Sequence, residues 1–405
     1  MKTSPGVPAE LRTWFTRPPR AHGEIDDERT VSFLELFYDL VFVVLIAQMS
    51  HTLAGNVSWV GVRDFALVFV LIWLAWANGT FYHELHGRED GRSRSFIFNQ
   101  MIVLVVLAVY TAHAADDAGD GRGFAITYTV LLAIIAWQWF VLRRYDDPAM
   151  VPAVNRYVAG MVIMMAMMTV SALVDDQDVR LILWAITIAV ALIGALITIF
   201  RPDDALDDTL RVTESVAERF GLLTIIVLGE VVVGVADGLS EAERDFTTIA
   251  TGVVALIVGF GLWWNYFDLV GRRQPRSGGS ARTIWNLAHL PMWLGIAASG
   301  AGMVSLIEHA GDSRAPAATA WLVSAAAATA LTSLALIAST MPPDAARDRA
   351  PLALLVAAVT FLGIGALRPA PLLLVGVMVV VLMAIWIDLF ANHVRSGTPF
   401  ASNAE

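Results

Sequence analysis

The sequence predicts an all-α fold: a polytopic membrane helix bundle of about twelve transmembrane helices, arranged as two parallel six-helix repeats. Composition, a series of long apolar windows and an internal repeat lead to this prediction. The 405-residue chain is 57% hydrophobic, its mean hydropathy is +0.64, and only 16% of its residues are charged. Soluble domains typically carry about 25% charged residues. The chain is therefore predicted to be an integral membrane protein.

Apolar windows long enough to cross a bilayer, which takes about 20 residues, recur along the whole chain. They cover residues 32–53, 62–82, 95–115, 124–143, 155–174, 179–200, 212–236, 246–267, 284–307, 316–340, 350–367 and 370–390. The predicted organisation is an N-terminal tail (1–31), a first half (32–200), an acidic connecting loop (201–211), a second half (212–392) and a short C-terminal tail (393–405). The N-terminal tail is polar and lacks the apolar core of a secretory signal, so we expect it to be cytoplasmic.

The positions of the basic residues predict the orientation of the chain. Most of the 27 lysine and arginine residues fall in segments on the side of the N-terminal tail. The six loops on the opposite side carry one arginine each: Arg63, Arg122, Arg180, Arg244, Arg314 and Arg368. Because cytoplasmic loops retain positive charge, we expect both termini to be cytoplasmic and the protein to lie in the inner (plasma) membrane.

An internal repeat relates the two halves. Ser32 to Phe37 (SFLELF) resembles Ser215 to Phe220 (SVAERF), and Trp76 to Asn78 (WAN) resembles Trp263 to Asn265 (WWN) at nearly the same spacing. Six spans in each half give both halves the same orientation, so the repeat is predicted to be parallel, with a cavity at the interface between the halves.

The motifs of the first and seventh spans resemble those of a known family. FLELFYDLVFVV (33–44) and ERFGLLTIIVLGEVVVG (218–234) are similar to the two signatures of the bacterial low-temperature-requirement A family. The resemblance extends over most of the chain. It implies a polytopic bacterial membrane protein, and it implies little about chemistry. A histidine often precedes the second signature by three residues in that family, whereas this chain has Ser215.

Acidic residues inside the spans are the main candidates for function. Asp39 and Glu230 lie too deep in their spans to cap a helix, and a carboxylate inside a span costs about 2.5–3.5 kcal/mol on insertion scales. Glu35 is spaced four residues from Asp39, so their carboxylates share a helix face. We expect Asp39 and Glu230 to face the interior, and at least one to be protonated near neutral pH. The alternative is a buried ion pair or hydrogen bond that holds the bundle together.

Several other polar residues also have a structural interpretation. Glu35 and Glu218 each follow a serine by three residues, which is the spacing of a capping box at a helix start. Arg219 is predicted to reach the membrane interface or to partner a nearby carboxylate. His289 could relay protons beside the kink that Pro291 predicts, or it could be a packing residue with satisfied nitrogens. The run of residues 83–90, which contains two histidines, is predicted to be a solvated loop.

An aspartate cluster in the connecting loop supports a different hypothesis. Asp203, Asp204, Asp207 and Asp208 have the spacing D-D-x-x-D-D, and residues 116–120 (DDAGD) have D-D-x-x-D. On a helix such carboxylates share a face, where they could hold Mg²⁺ against a diphosphate. The first cluster resembles the aspartate-rich motif of prenyl-diphosphate enzymes. Mg²⁺ is expected only under this hypothesis, and otherwise no cofactor is expected.

Two classes of function therefore stay open, and the sequence does not decide whether the protein is an enzyme. The first is a transporter that uses intramembrane carboxylates for a small solute or a proton-linked substrate. The second is an intramembrane enzyme that acts on a lipid or prenyl diphosphate. The expected partners are the lipid bilayer and an unidentified small-molecule or lipid substrate. A net charge of −10 argues against nucleic acid, and the absence of cysteine excludes disulfides and thiolate metal sites.

Overall fold

A computed structural model describes residues 7–24, 31–200, 212–243, 245–271, 273–344 and 347–396. Within these residues the chain is all-α and forms thirteen helices. The first seven are α1 (Val7–Thr16), α2 (Phe33–Gly55), α3 (Trp59–His86), α4 (Gly91–Thr111), α5 (Ala118–Leu142), α6 (Val151–Leu173) and α7 (Gln177–Phe200). The other six are α8 (Glu214–Glu241), α9 (Phe246–Leu269), α10 (Gly279–Glu308), α11 (Ala317–Ser339), α12 (Ala350–Leu367) and α13 (Pro371–Ser396).

Twelve of the described helices, α2 to α13, are long and apolar enough to cross a membrane. They coincide with the twelve windows predicted from the sequence, which confirms the all-α class and the number of spans. The agreement has a physical reason, because a segment in hydrocarbon must satisfy every backbone N–H and C=O internally. A long apolar segment in such a chain therefore forms a helix.

One helix was not predicted. Helix α1 lies in the N-terminal tail, where Trp14 and Phe15 pack against the start of α4. A Cβ atom on Gly91 would lie 2.6 Å from the Trp14 ring, so glycine at this position lets α1 approach α4 closely. The Arg94 guanidinium stands 5.8 Å from the centre of the Trp14 ring. Because α1 has only 10 residues, about half the length of a span, a search for apolar windows of span length gives no signal for it.

The chain packs as two compact units. The first unit comprises residues 1–45 and 70–211, and the second comprises residues 46–69 and 212–405. The end of α2 and the start of α3 thus belong to the second unit. In the first unit, α4 to α7 pack mainly against their neighbours along the chain.

Helix α10 forms the core of the second unit. It packs against α8 and α11, and 89% of the residues in its most apolar stretch are buried, a larger share than in any other described span. Three of the largest fully buried side chains in this unit meet here: Trp285 and Trp293 belong to α10, and Phe220 packs against both from α8. The helix continues through Pro291. Helices α9 and α13 pack against each other elsewhere in the same unit.

Candidate functional site

Glu230 lies well inside a span of the second unit. It stands about 24 Å along α8 from Glu214 at 1.5 Å per residue, and only 4% of its surface is exposed. The Ser50 hydroxyl lies next to its carboxylate, although it does not meet strict hydrogen-bond geometry. Asp237 is the charged side chain that acts on it electrostatically, and Glu230 forms no ion pair with any residue that the structure describes. Glu230 is therefore a buried acid without a cationic partner in this part of the chain.

Two glycines bring the backbone of α10 against Glu230. A Cβ atom on Gly300 would lie 2.8 Å from the Glu230 carbonyl carbon and oxygen, and a Cβ atom on Gly234 would overlap the Gly300 carbonyl oxygen. Helices α8 and α10 thus meet backbone to backbone at this level, as small residues allow between membrane helices. Because of this close approach the backbone that carries the carboxylate has little freedom to shift.

Further polar groups lie near this helix pair. The Ser299 hydroxyl adjoins Gly300 in the chain, is fully buried, and has no hydrogen-bond partner among the described residues. The Gln48 side-chain oxygen likewise has no hydrogen-bond partner among the described residues, and Gln48 precedes Ser50 by two residues in α2. A buried polar group without a partner costs free energy. The neighbourhood of Glu230 is thus more polar than its apolar helices predict, and it suits a carboxyl group that binds and releases a proton.

Asp39 has a different environment in the first unit. It is 1% exposed, and its Oδ1 atom accepts a hydrogen bond of 2.8 Å from the indole N–H of Trp76. The adjacent Tyr38 donates to the side-chain oxygen of Gln100 at 3.1 Å, and Gln100 donates to Gln138 at 2.8 Å. These bonds join α2, α3, α4 and α5. The structural interpretation of Asp39, a hydrogen bond between helices, is therefore present in the fold, and the predicted burial is confirmed.

Glu35 forms the capping box that its spacing predicted. Its Oε2 atom accepts from the Ser32 backbone N–H at 3.0 Å, and the Ser32 hydroxyl accepts from the Glu35 N–H at 3.3 Å. The corresponding prediction for Glu218 is wrong. The N-cap of α8 is Thr213, two residues before the predicted cap at Ser215, and the Thr213 hydroxyl accepts from the Val216 N–H at 3.1 Å. Valine therefore occupies the position where a capping box needs glutamate.

Arg219 and His289 are both fully buried. The Arg219 guanidinium is therefore covered by protein, whereas a side chain that extends to the membrane interface would expose it. The Nδ1 atom of His289 lies 2.7 Å from the Trp285 carbonyl oxygen, which can only accept, so Nδ1 carries the proton. Its Nε2 atom is then the acceptor for the Tyr266 hydroxyl at 3.2 Å. Both ring nitrogens are satisfied by protein groups, as the packing interpretation of His289 predicted.

The aspartate clusters have different outcomes. Asp203, Asp204, Asp207 and Asp208 lie outside the described residues. In the second cluster Asp117 caps α5, because its Oδ1 atom accepts from the backbone N–H groups of Gly119 at 2.8 Å and Asp120 at 2.9 Å. Among the described residues, no group of three or more acidic or histidine side chains could hold a metal ion. Within the second cluster, Asp117 thus has a structural role as the cap of α5.

The cap at Asp117 should depend on pH. The N–H groups of Asp120 and Gly119 hold the pKa of the Asp117 carboxyl group below its ordinary value. The ionised carboxylate therefore stabilises the start of α5 fully at any pH above the ordinary pKa. This stabilisation is lost as the pH falls through the lowered pKa. We expect amide-exchange protection of the first turn of α5, corrected for intrinsic rates, to fall below about pH 4. The Asp117→Asn variant keeps an acceptor but does not titrate, so its protection should change little. An equal loss in both proteins would contradict this prediction.

A cluster at the end of α3 was missed by the sequence analysis. His83, Glu84 and His86 are buried within α3, so the prediction of a solvated loop is wrong for them. The N-terminal segment covers this helix end: the Arg20 guanidinium donates to the Glu84 carbonyl oxygen at 2.5 Å, and the Arg20 carbonyl oxygen lies 2.9 Å from His86 Nδ1. Such cover comes from a segment distant in sequence, and loop composition does not reveal it.

Asp146 holds the same N-terminal segment from another side. Its carboxylate accepts from the His22 backbone N–H at 2.9 Å and lies 2.5 Å from His22 Nδ1. We expect Asp146→Ala to release this segment and to speed tryptic cleavage after the buried Arg20 by roughly tenfold, as expected when local opening becomes easier. The adjacent, exposed Asp147 provides a control, and Asp147→Ala should leave cleavage after Arg20 unchanged. Equal cleavage rates in both variants, measured by mass spectrometry, would contradict the role of Asp146.

Comparison with known proteins identifies the family. The family model described as bacterial low temperature requirement A protein (LtrA) matches residues 30–386. The chain is also 26% identical over 325 residues to the uncharacterized protein RA0937 of Rhizobium meliloti (strain 1021), and the match covers 75% of each chain. The matched residues include all of the signature-bearing segments and nearly all of the twelve spans. This protein is a multi-pass membrane protein that belongs to the bacterial low temperature requirement A family.

Proposed function

We propose that the protein is a transporter for a small solute, in which Glu230 takes up and releases the coupled proton. The burial of this carboxylate without a basic partner among the described residues is the observation that carries the proposal. Ionisable residues inside membrane spans are costly and commonly mark ion or proton pathways. An acid that is not held by a cation keeps its capacity to exchange a proton, whereas Asp39 is already bonded to Trp76.

The proposed architecture is a pair of parallel six-helix repeats with both termini in the cytoplasm of the cell. The paired asparagines of the repeat support it, because each donates to a carbonyl oxygen four residues earlier in its own helix. Asn78 donates to Leu74 at 2.6 Å, and Asn265 donates to Gly261 at 2.8 Å. The arginine distribution supports the orientation. For the alternative, an enzyme acting on a lipid or prenyl diphosphate, no observation in the described residues provides support.

The test is a measurement of proton movement with the full-length protein in liposomes. A pH-sensitive dye is trapped inside, and a low-molecular-weight filtrate of bacterial cytoplasm is added outside as the source of solutes. We expect the wild-type protein to change the internal pH faster than empty liposomes do. Glu230→Gln should lower this rate by roughly tenfold or more, because an amide keeps the shape of the side chain and cannot exchange the proton.

Glu241 provides a matched control. It is an exposed acid at the end of the same helix, so Glu241→Gln removes the same charge without touching the buried site. This variant should transport at the wild-type rate to within about twofold. Equal rates in the wild-type protein and in Glu230→Gln, at equal amounts of reconstituted protein, would contradict the proposed role of Glu230. A wild-type rate equal to that of empty liposomes would contradict transport itself.

A further inference from the structure

A groove runs along the packed helices α9 and α13 within the second unit. Six of the residues that line it are Phe260, Trp264, Asn265, Val379, Leu382 and Trp386. Phe260 is 51% exposed, and Met383, also in the lining, is 42% exposed. Both helices are long and apolar enough to span a membrane. Because this surface is apolar at membrane depth, it suits a hydrocarbon chain.

The aromatic wall of the groove is held in place by a hydrogen bond. The Trp386 ring lies 4.9 Å from the Trp264 ring, and its indole N–H donates to the Asp268 carboxylate at 3.1 Å. An acyl chain therefore meets a wall that is already ordered, and binding costs little side-chain entropy.

One end of the groove carries a buried hydrogen-bond acceptor. Asn265 is 1% exposed, and its amide N–H donates to the Gly261 carbonyl oxygen, which fixes the orientation of the amide. Its side-chain oxygen has no hydrogen-bond partner among the described residues. Asn265 lies about 6 Å from the end of α9 at Leu269, which is the depth of a lipid head group and glycerol region. A ligand seated here satisfies this acceptor only if it donates a hydrogen bond.

Charges of both signs lie at the same end of the groove. The Asp268 carboxylate, one turn beyond Asn265, supplies one negative charge, and Arg347 lies within its electrostatic reach. Arg273 is held at the end of α9, where its guanidinium donates to the Leu269 carbonyl oxygen at 2.9 Å, and it too interacts electrostatically with Arg347. The Asp344 carboxylate lies at this end as well, where it accepts from Arg347 at 2.6 Å. Two carboxylates beside two guanidinium groups match a zwitterionic head group that contains an ammonium and a phosphate.

We propose that this groove binds a phospholipid with a primary ammonium head group, of the phosphatidylethanolamine class. The ammonium donates to the Asn265 side-chain oxygen and to Asp268, and the phosphate lies against Arg273 and Arg347. One acyl chain lies along Trp264 and deeper along Phe260 and Leu382. The groove is polar at the end of α9 and apolar towards the middle of the span, which is the orientation of a lipid in that leaflet. This proposal is independent of the proposed transport function.

Native mass spectrometry of the purified full-length protein tests the proposal with three lipids that have identical acyl chains. Phosphatidylcholine keeps the phosphate and the positive charge but has no N–H donor, and phosphatidylglycerol offers hydroxyl donors with a net negative charge. We expect the first phosphatidylethanolamine to bind roughly fivefold more tightly than phosphatidylcholine. Equal binding of these two lipids would overturn the proposal as merely non-selective lipid binding. Tighter binding of phosphatidylglycerol would overturn the ammonium assignment.

Variants locate the selectivity in the groove. Asn265→Leu keeps the branched shape of the side chain and removes the acceptor, so the preference for phosphatidylethanolamine should fall to near unity. Asn78→Leu removes the asparagine that makes the same local bond in the first unit, and it should keep the wild-type preference. If Asn265→Leu does not fold, Asp268→Asn serves as the second variant, because its amide oxygen can still accept from Trp386. An unchanged preference in the folded groove variant would overturn the proposal.

Discussion

The Gly234→Ala variant should be much less stable than the wild-type protein, although alanine is the better helix former by about 1 kcal/mol. The added Cβ atom would overlap the backbone carbonyl oxygen of Gly300. A backbone atom cannot turn aside as a flexible side chain can, so α8 and α10 would have to separate. Overpacked cores typically lose about 1–3 kcal/mol, and we expect a loss at the upper end of this range, measured by reversible denaturation in detergent.

Gly229 provides the control for this variant in the same helix. A Cβ atom there has no other atom within 4 Å, so Gly229→Ala should be neutral or stabilise the protein by up to about 1 kcal/mol. Equal stability of the two alanine variants would contradict the close approach of the two helices. Gly300 also packs against the backbone of Glu230 itself, so we expect Gly234→Ala protein to lose proton-coupled transport in the liposome assay.

The sequence was sufficient for the membrane spans because hydropathy acts locally. Each span is a continuous apolar segment, and its helical state follows from the need to satisfy backbone groups in hydrocarbon. The Ser32–Glu35 capping box was likewise visible, because its partners lie three residues apart. The same pattern at Glu218 led to a wrong prediction, since Thr213 offers an earlier cap and takes its place.

Packing between distant segments was the part that the sequence did not reveal. Local composition at residues 83–90 indicates a polar loop, but Arg20 covers the end of α3 and buries His86. The opposite problem arose at Arg219, where a charge near a helix start suggested the membrane interface although the side chain is fully buried. Burial of a charged group depends on which helices pack around it, and one sequence contains no direct record of that packing.

Glu230 and Asp39 show how far the residue type alone can be interpreted. Both carboxylates are buried, as their depth in the spans predicted. Their environments differ because Trp76 reaches Asp39, whereas the Ser50 hydroxyl is what lies beside Glu230. An interhelical hydrogen bond and a candidate proton site are therefore indistinguishable until the neighbouring helix is placed.

Truncation of Trp293 should have the largest effect on the stability of the second unit. This side chain is fully buried in α10, its ring lies 5.2 Å from Phe220 and 5.3 Å from His289, and its indole N–H donates to the Thr224 hydroxyl at 2.8 Å. Trp293→Ala leaves a cavity between helices whose association depends on van der Waals packing. We expect a loss of about 3–5 kcal/mol in the free energy of unfolding.

A second variant separates this packing from the hydrogen bond. Trp293→Phe keeps most of the ring and removes the N–H group, and hydrogen bonds between membrane helices contribute about 0.6 kcal/mol on average. Trp293→Phe should therefore lower the free energy of unfolding much less than Trp293→Ala does. Trp137 in α5 is 57% exposed, so Trp137→Ala should lose less than about 1 kcal/mol. If Trp293→Phe were as unstable as Trp293→Ala, the bond to Thr224 would be the dominant interaction, and the packing argument for this core would be wrong.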